Sequence, residues 1–404
     1  MLTALEQGVK GGVWFSLMDK VFAEQTLFWA WVQVARNQGA AGVDHVTIDD
    51  FARQLAPKLN RLTKTLRDGT YRPQDVKRVW IPKPGSREQR PLGIPTVRDR
   101  VVQTALRYVI EPIFERDFAE HSYGFRPGRG CKDALRRVDQ LLKAGYRYVV
   151  DADLKSYFDT IPHDRLMDRI RRKIRDSRVL ALIEMFLQQG VFDGLSRWTP
   201  ETGSPQGAVI SPLLSNIYLD PLDHMMAGEG FEMVRYADDF VILCRTAAQA
   251  EAALALAQAW TDENGLQLHP EKTRIVDVEA ESFDFLGYSF RRESRWPRKK
   301  SLQKLKATLR QKTKRTSGQS LQCIIADVNR TLRGWFEYFQ HSGRWVFERL
   351  DGWLRMRLRS ILRKRSGRRG RGRGWDHHRW KNSFFAAHGL FNLTAAHVAA
   401  CQSS

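Results

Sequence analysis

Cysteine is scarce: residues 131, 244, 323 and 401 are the only four in a chain of 404, and no two form a CxxC pair. Spacing of that kind argues against a zinc module and supplies no disulfide framework. A reduced cytoplasmic protein is the simplest expectation. Long apolar runs are missing too, so no segment of about 18 residues is available to span a bilayer. The short stretch Gly11–Met18 follows Glu6, meets Asp19 and Lys20, and does not read as a secretory signal. No internal repeat is evident. Beyond Arg291 acidic residues become sparse while Arg, Lys and Trp dominate.

What is present in excess is positive charge, a formal +21 with a pI of about 10.1. Such an excess opposes compaction unless a polyanion neutralises it, which makes nucleic acid the leading partner. Hydrophobic residues at 42% and aromatics at 11% nevertheless leave enough apolar chain for two or three folded domains.

Three stretches of the first part read as strands: Tyr148–Leu154, Phe231–Tyr236 and Phe240–Cys244. The last two flank Asp238-Asp239, which reads as the tip of a β-hairpin. Helical patterns follow each. Pro162-His163-Asp164 opens one, with Leu166, Ile170 and Ile174 at i, i+4, i+8; residues 211–225 and 248–264 are two more. Alternation interrupted by a tight hairpin fits a split βαβ sheet better than a doubly wound one.

Asp-Asp at a turn is ordinarily a solvated turn. Its surroundings alter that reading. Asp153-Leu154-Lys155-Ser156-Tyr157-Phe158 lies upstream, and Gly203-Ser204-Pro205-Gln206-Gly207 lies between, leading into a helix. Asp153 on one strand and Asp238-Asp239 on a neighbouring hairpin would gather three carboxylates in one cleft. Nucleotidyl transfer by two divalent metals needs that kind of cluster.

These segments, in their order and spacing, resemble the motifs of reverse transcriptases, and more closely those of bacterial group II intron-encoded reverse transcriptase/maturases. Arg36–Asp44 resembles the family's N-terminal extension. Ile81-Pro82-Lys83-Pro84-Gly85, Arg90–Pro95 and Ser122–Pro127 resemble its fingers motifs, and Arg333-Gly334-Trp335-Phe336-Glu337-Tyr338-Phe339 its maturase motif. The resemblance implies an α+β right-hand polymerase, with fingers and a ferredoxin-like palm followed by an α-helical thumb/maturase domain. The expected parts are an N-terminal extension and start of fingers over 1–70, fingers and palm over 71–290, thumb and maturase domain over 291–362, and a basic linker with a small DNA-binding segment over 363–404.

By the same resemblance Asp153, Asp238 and Asp239, with the Leu154 carbonyl, hold two Mg²⁺ ions, Mn²⁺ being a possible substitute. Lys272 protonates the leaving pyrophosphate. Lys83 and Arg90 bind the triphosphate, whose charge calls for point and forked donors. Phe158 excludes a 2′-hydroxyl beneath the incoming sugar, and Gln206 lies near the nascent base pair. Plainer readings stand beside these: Phe158 as a core ring, Asp159 as a cap of the next helix, and Asp151 on the same strand face as Asp153 but farther from the cleft. Phe285-Leu286-Gly287-Tyr288 resembles a primer grip, though its aromatics could equally pack palm against thumb.

In the basic third, Leu302, Leu305 and Leu309 mark the apolar face of one helix, and residues 321–339 read as another. Single-sign charge interleaved with aromatics suits a groove that follows phosphates. Arg333, Trp335, Arg355, Arg359, Arg368, Arg369 and Arg371 are the expected nucleic-acid contacts. Residues 363–374 (RKRSGRRGRGRG) read as a mobile basic linker. His377 and His378 are adjacent and lack cysteine partners, so a structural role is expected; no HNH or RNase H domain is. The implied partners are group II intron RNA as template, a DNA primer or target, and dNTPs, with no membrane, in a bacterial cytoplasm and on the nucleoid when DNA-bound. A free-standing relative serving DNA repair or defence, a splicing cofactor without polymerase activity and a nonspecific RNA binder are the alternatives.

Overall fold

Short runs rich in β-branched and aromatic residues lead the chain into small sheets, and amphipathic helices cover them. The computed structural model describes residues 12–82, 89–194 and 196–402. The chain divides into two compact units, Met1–Ile275 and Val276–Ser404.

The first unit carries a four-stranded sheet of β1 (Val76–Pro82), β2 (Gln89–Ile94), β4 (Val191–Asp193) and β5 (Ser196–Trp198), ordered β2-β1-β4-β5. The palm sheet is built from β3 (Tyr148–Asp153), β6 (Glu232–Tyr236), β7 (Asp239–Cys244) and β8 (Arg274–Asp277), in the order β6-β7-β3-β8. Helices Cys131–Lys143, Ser211–Gly228 and Ala247–Glu263 pack against this palm sheet. Val150, Ala152, Phe240 and Ile242 are fully buried beneath them. The order matches the split βαβ expectation, and β3 and β7 are neighbours.

Caps fix several helix starts. Thr246 accepts from the Gln249 amide at 3.2 Å, and Asp176 accepts from Arg178 and Val179 at 3.0 and 3.2 Å. The same Asp176 carboxylate receives the amides of Leu17 and Met18 at 2.7 and 2.9 Å, tying the N-terminal segment down.

The second unit has the sheet β9 (Phe283–Phe285), β10 (Tyr288–Arg291) and β11 (Ser294–Pro297), and helices Lys299–Lys312, Leu321–Phe339 and Arg344–Arg365. Leu305, Leu309, Ile324, Val328, Leu350 and Leu358 form its core. One expectation changes here. Residues 363–374 are not a free linker. The helix runs to Arg365, the Gly372 amide donates to Ser360 Oγ at 2.9 Å, and Arg363 pairs with buried Asp376 at 2.7 Å. Phe285 and Tyr288 are buried, and the Tyr288 hydroxyl donates to the Tyr338 carbonyl at 2.7 Å. Those aromatics therefore pack the unit. Among the described residues no helix is long and apolar enough to cross a membrane.

Candidate active site and nucleic-acid-binding surface

In the palm sheet Asp153 stands opposite Asp239 across β3 and β7. On the other edge of β7, Tyr236 pairs with Asp239, which leaves Ala237-Asp238 as the two-residue turn. Opposed residues on adjacent strands have Cβ atoms about 4.5–5.5 Å apart. The Asp153 and Asp239 side chains thus leave one face as neighbours, with Asp238 beside them at the tip.

That turn is held from both sides. Ala237 has a left-handed φ of +60°, a conformation that costs a side-chain-bearing residue about 1–2 kcal/mol. Gly124 closes on it so tightly that a Cβ would lie 2.2 Å from the Ala237 nitrogen. From below, fully buried Arg235 gives Nη1 to the Ala237 carbonyl at 2.9 Å. We expect Gly124→Ala to displace the turn and slow primer extension by about 10²-fold, with RNA affinity near wild type. Rate and binding assays run in parallel check this, and wild-type rates would contradict it.

Burial pushes the Asp238 carboxyl above the usual carboxylate range, and the charge of Asp153 adds to the effect, while Arg235 and Lys272 oppose it. Crowded carboxylates of this kind are relieved by a cation, and their oxygen chemistry fits a hard divalent ion. Among the described residues no three such groups converge closely enough to hold an ion by themselves. Mg²⁺ sites are commonly completed by substrate phosphates added to one or two carboxylates.

Lys272 reaches the cluster because its loop is laced to the end of β3. The His269 amide donates to the Asp153 carbonyl at 2.7 Å and the Lys155 amide to the Gln267 carbonyl at 2.9 Å. Lys272 Nζ then forms an ion pair with Asp153 Oδ2. Leu154 is buried and bridges Leu268.

Phe158 and Gln206 come together in a separate cleft of about 450 Å³, which Arg78, Trp80, Gly93 and Trp198 also line. The Ser204 amide donates to the Phe158 carbonyl at 2.7 Å and the Gly93 amide to the Gln206 carbonyl at 2.6 Å. Gly207, at φ +105°, permits that approach; a Cβ there would sit 2.6 Å from the Gly93 oxygen. Phe158 is half-buried and also packs on the core. Arg90 is exposed on β2 opposite Ile81, and Lys83 lies outside the described residues. The three aspartates do not line this cleft.

Asp159 does not cap the following helix. Pro162 is its N-cap with no side-chain hydrogen bond, and Asp159 lines the cleft instead. Asp151 lies 3.8 Å from Arg274. Sequence reasoning missed two contributors, Arg235 and His163. The His163 ring lies 2.6 Å from the Gly203 carbonyl and braces the loop before Gln206.

On the second unit Arg333, Arg368, Arg369 and Arg371 are exposed and Arg355 is half-buried. Trp335 is half-buried, its ring 4.8 Å from that of Phe339. Arg359 is a correction: only 3% exposed, it donates to the Trp380 carbonyl at 2.9 Å and Asn382 Oδ1 at 2.8 Å, so it braces the unit. Three cations, Lys306, Arg310 and Arg357, lie 5.5–5.9 Å from the Trp353 ring centre.

Comparison with known proteins adds the following. Residues 81–290 match the family model described as Reverse transcriptase (RNA-dependent DNA polymerase). Residues 302–382 match that of the Group II intron, maturase-specific domain. Protein YkfC of Escherichia coli is 36% identical over 328 residues, 71% of this chain and 84% of YkfC. Group II intron-encoded protein LtrA of Lactococcus lactis subsp. cremoris is 40% identical over 196 residues, 48% of this chain and 32% of LtrA. The Putative COX1/OXI3 intron 1 protein of Saccharomyces cerevisiae is 34% identical over 169 residues, 42% of this chain and 20% of that protein.

Proposed function

Because the chain belongs to the family of group II intron-encoded reverse transcriptase/maturases and is an RNA-directed DNA polymerase, we propose that it binds group II intron RNA, assists its splicing and copies it into DNA during intron mobility. The observation that carries the chemistry is the register of Asp153 against Asp239, with Asp238 at the adjoining turn.

Enzymes of this family depend on a divalent metal. Two Mg²⁺ ions, replaceable by Mn²⁺, would be held by Asp153, Asp238, Asp239 and the Leu154 carbonyl, and would activate the primer 3′-hydroxyl and neutralise phosphate charge. Lys272 delivers a proton to the leaving pyrophosphate. Lys83 and Arg90 grip the triphosphate, Phe158 excludes a 2′-hydroxyl, and Gln206 fixes the new base pair. Residues 1–70 serve as N-terminal extension, 71–290 as fingers and palm, 291–362 as thumb and maturase domain, and 363–404 as a DNA-binding segment. Arg333, Trp335, Arg355, Arg368, Arg369 and Arg371 face RNA or the DNA target. A bacterial cytoplasmic location, on the nucleoid when DNA is bound, goes with this reading.

Splicing is tested with the group II intron transcript flanking the gene, at a Mg²⁺ concentration too low for self-splicing. Addition of the protein should produce ligated exons, with affinity for the transcript falling steeply as salt rises. A flanking intron that splices no faster with the protein would remove the maturase role and leave the polymerase.

A further inference from the structure

Arg235 is wholly buried on β6, where an apolar residue would fill the space without desolvating a charge. All five of its donors are nevertheless engaged. Nε meets Asp223 at 2.7 and 3.0 Å, and Nη1 reaches Asn216 Oδ1 at 3.0 Å and the Ala237 carbonyl at 2.9 Å. Nη2 reaches Ser122 Oγ at 2.7 Å and also Asp223 Oδ2. Asn216 and Asp223 are spaced i, i+7, on one face of the helix Ser211–Gly228. Asn216 Nδ2 donates to the Gly124 carbonyl at 2.8 Å, so the glycine that presses on Ala237 is held by the same network. A fork anchored to a long helix on one side and to the turn carbonyl on the other is a device for fixing the direction of the residue after that carbonyl.

We propose that Arg235 is a positioning residue: its guanidinium locks the Ala237 carbonyl, and thereby holds the Asp238 carboxylate in the direction that binds the divalent cation. The inference rests on the reading of Asp238 as a metal ligand. Asp223, Asn216 and Ser122 act through Arg235 and do not themselves face substrate.

The test uses the full chain bound to a primed RNA template, with free Mn²⁺ followed by electron paramagnetic resonance and single-turnover primer extension measured alongside. Arg235→Leu/Asp223→Leu removes the pair without leaving a lone buried charge. It should melt within a few degrees of wild type and bind the primed template within about twofold. Its Mn²⁺ half-saturation should rise about tenfold or more, and extension should slow. Asp238→Asn added to that double variant should weaken Mn²⁺ binding less than it does alone, because coupled residues are not additive. Arg235→Lys keeps the charge beside Asp223 but loses the fork; it should shift Mn²⁺ binding the same way by a smaller factor. Wild-type Mn²⁺ affinity in either folded variant overturns the proposal. Unfolding of both also overturns it and makes Arg235 a stability residue. Unaltered Mn²⁺ binding in Asp238→Asn alone would instead sink the metal-ligand reading itself.

Discussion

Asp238→Asn should abolish RNA-templated DNA synthesis, lowering the rate by about 10³-fold or more, while leaving binding of the primed template unchanged. The carboxylate would be lost from the tip of the acidic cluster, where amide nitrogen and oxygen cannot replace its charge. Stability should move the other way. Burial first, and Asp153 second, raise the Asp238 pKa above its unfolded value. A group raised in this way favours the fold below the unfolded pKa, and that contribution is lost as pH rises through the folded pKa. At neutral pH the ionised carboxylate therefore works against the fold. The Asn variant should melt at the wild-type temperature or above at pH 7, and the difference should narrow as pH falls through the carboxylate range. Such a trade between activity and stability is a usual mark of a functional site. A variant that synthesises DNA at the wild-type rate, or that loses template binding in parallel, would remove Asp238 from the chemistry.

Phe158→Ala should collapse discrimination against ribonucleotides by about 10- to 200-fold, read as the ratio of kcat/KM for dNTP and rNTP on the same primed template. The ring lines the cleft shared with Gln206 and Gly93. Its backbone is fixed by the Ser204 amide, so truncation opens space without freeing the loop. The Phe158 ring also packs on Tyr157 at 5.4 Å, so some stability will be lost. Tyr157→Phe separates the two effects. It removes the hydroxyl that donates to the Ser215 carbonyl at 2.8 Å, and should lower the melting temperature without altering nucleotide choice. Unchanged discrimination in folded Phe158→Ala would return Phe158 to the core.

Much of the palm was legible because its signals are local. Short apolar runs give β3, β6 and β7, and the helices that follow show a period near 3.6. The hairpin turn falls one residue earlier than expected. Asp239 already pairs with both Tyr236 and Asp153, so Ala237-Asp238 forms the tip. Lys272 was placed in the chemistry only by resemblance, and its ion pair with Asp153 was not foreseen; the loop bonds that bring it there span more than a hundred residues.

What stayed hidden depends on partners far apart in sequence. Arg235, beside the acidic turn, reads as one more cation in a chain with +21 net charge. Its burial follows from Ser122, Asn216 and Asp223, which only the fold assembles. Arg359 misled for the same reason, since an arginine in a basic run gives no sign that Trp380 and Asn382 will occupy its donors. The Gly- and Arg-rich segment after it looked free because composition reports propensity and not anchoring; Ser360 and Asp376 supply the anchors.

Incubation of the full chain with a primed RNA template, the four dNTPs and Mg²⁺ measures the central activity directly, with Asp238→Ala as the control. DNA complementary to the template should accumulate with the wild type and be absent with the control. Failure of the wild type to extend the primer in either Mg²⁺ or Mn²⁺, despite binding the template, would contradict the assignment of Asp153, Asp238 and Asp239 as a working polymerase site.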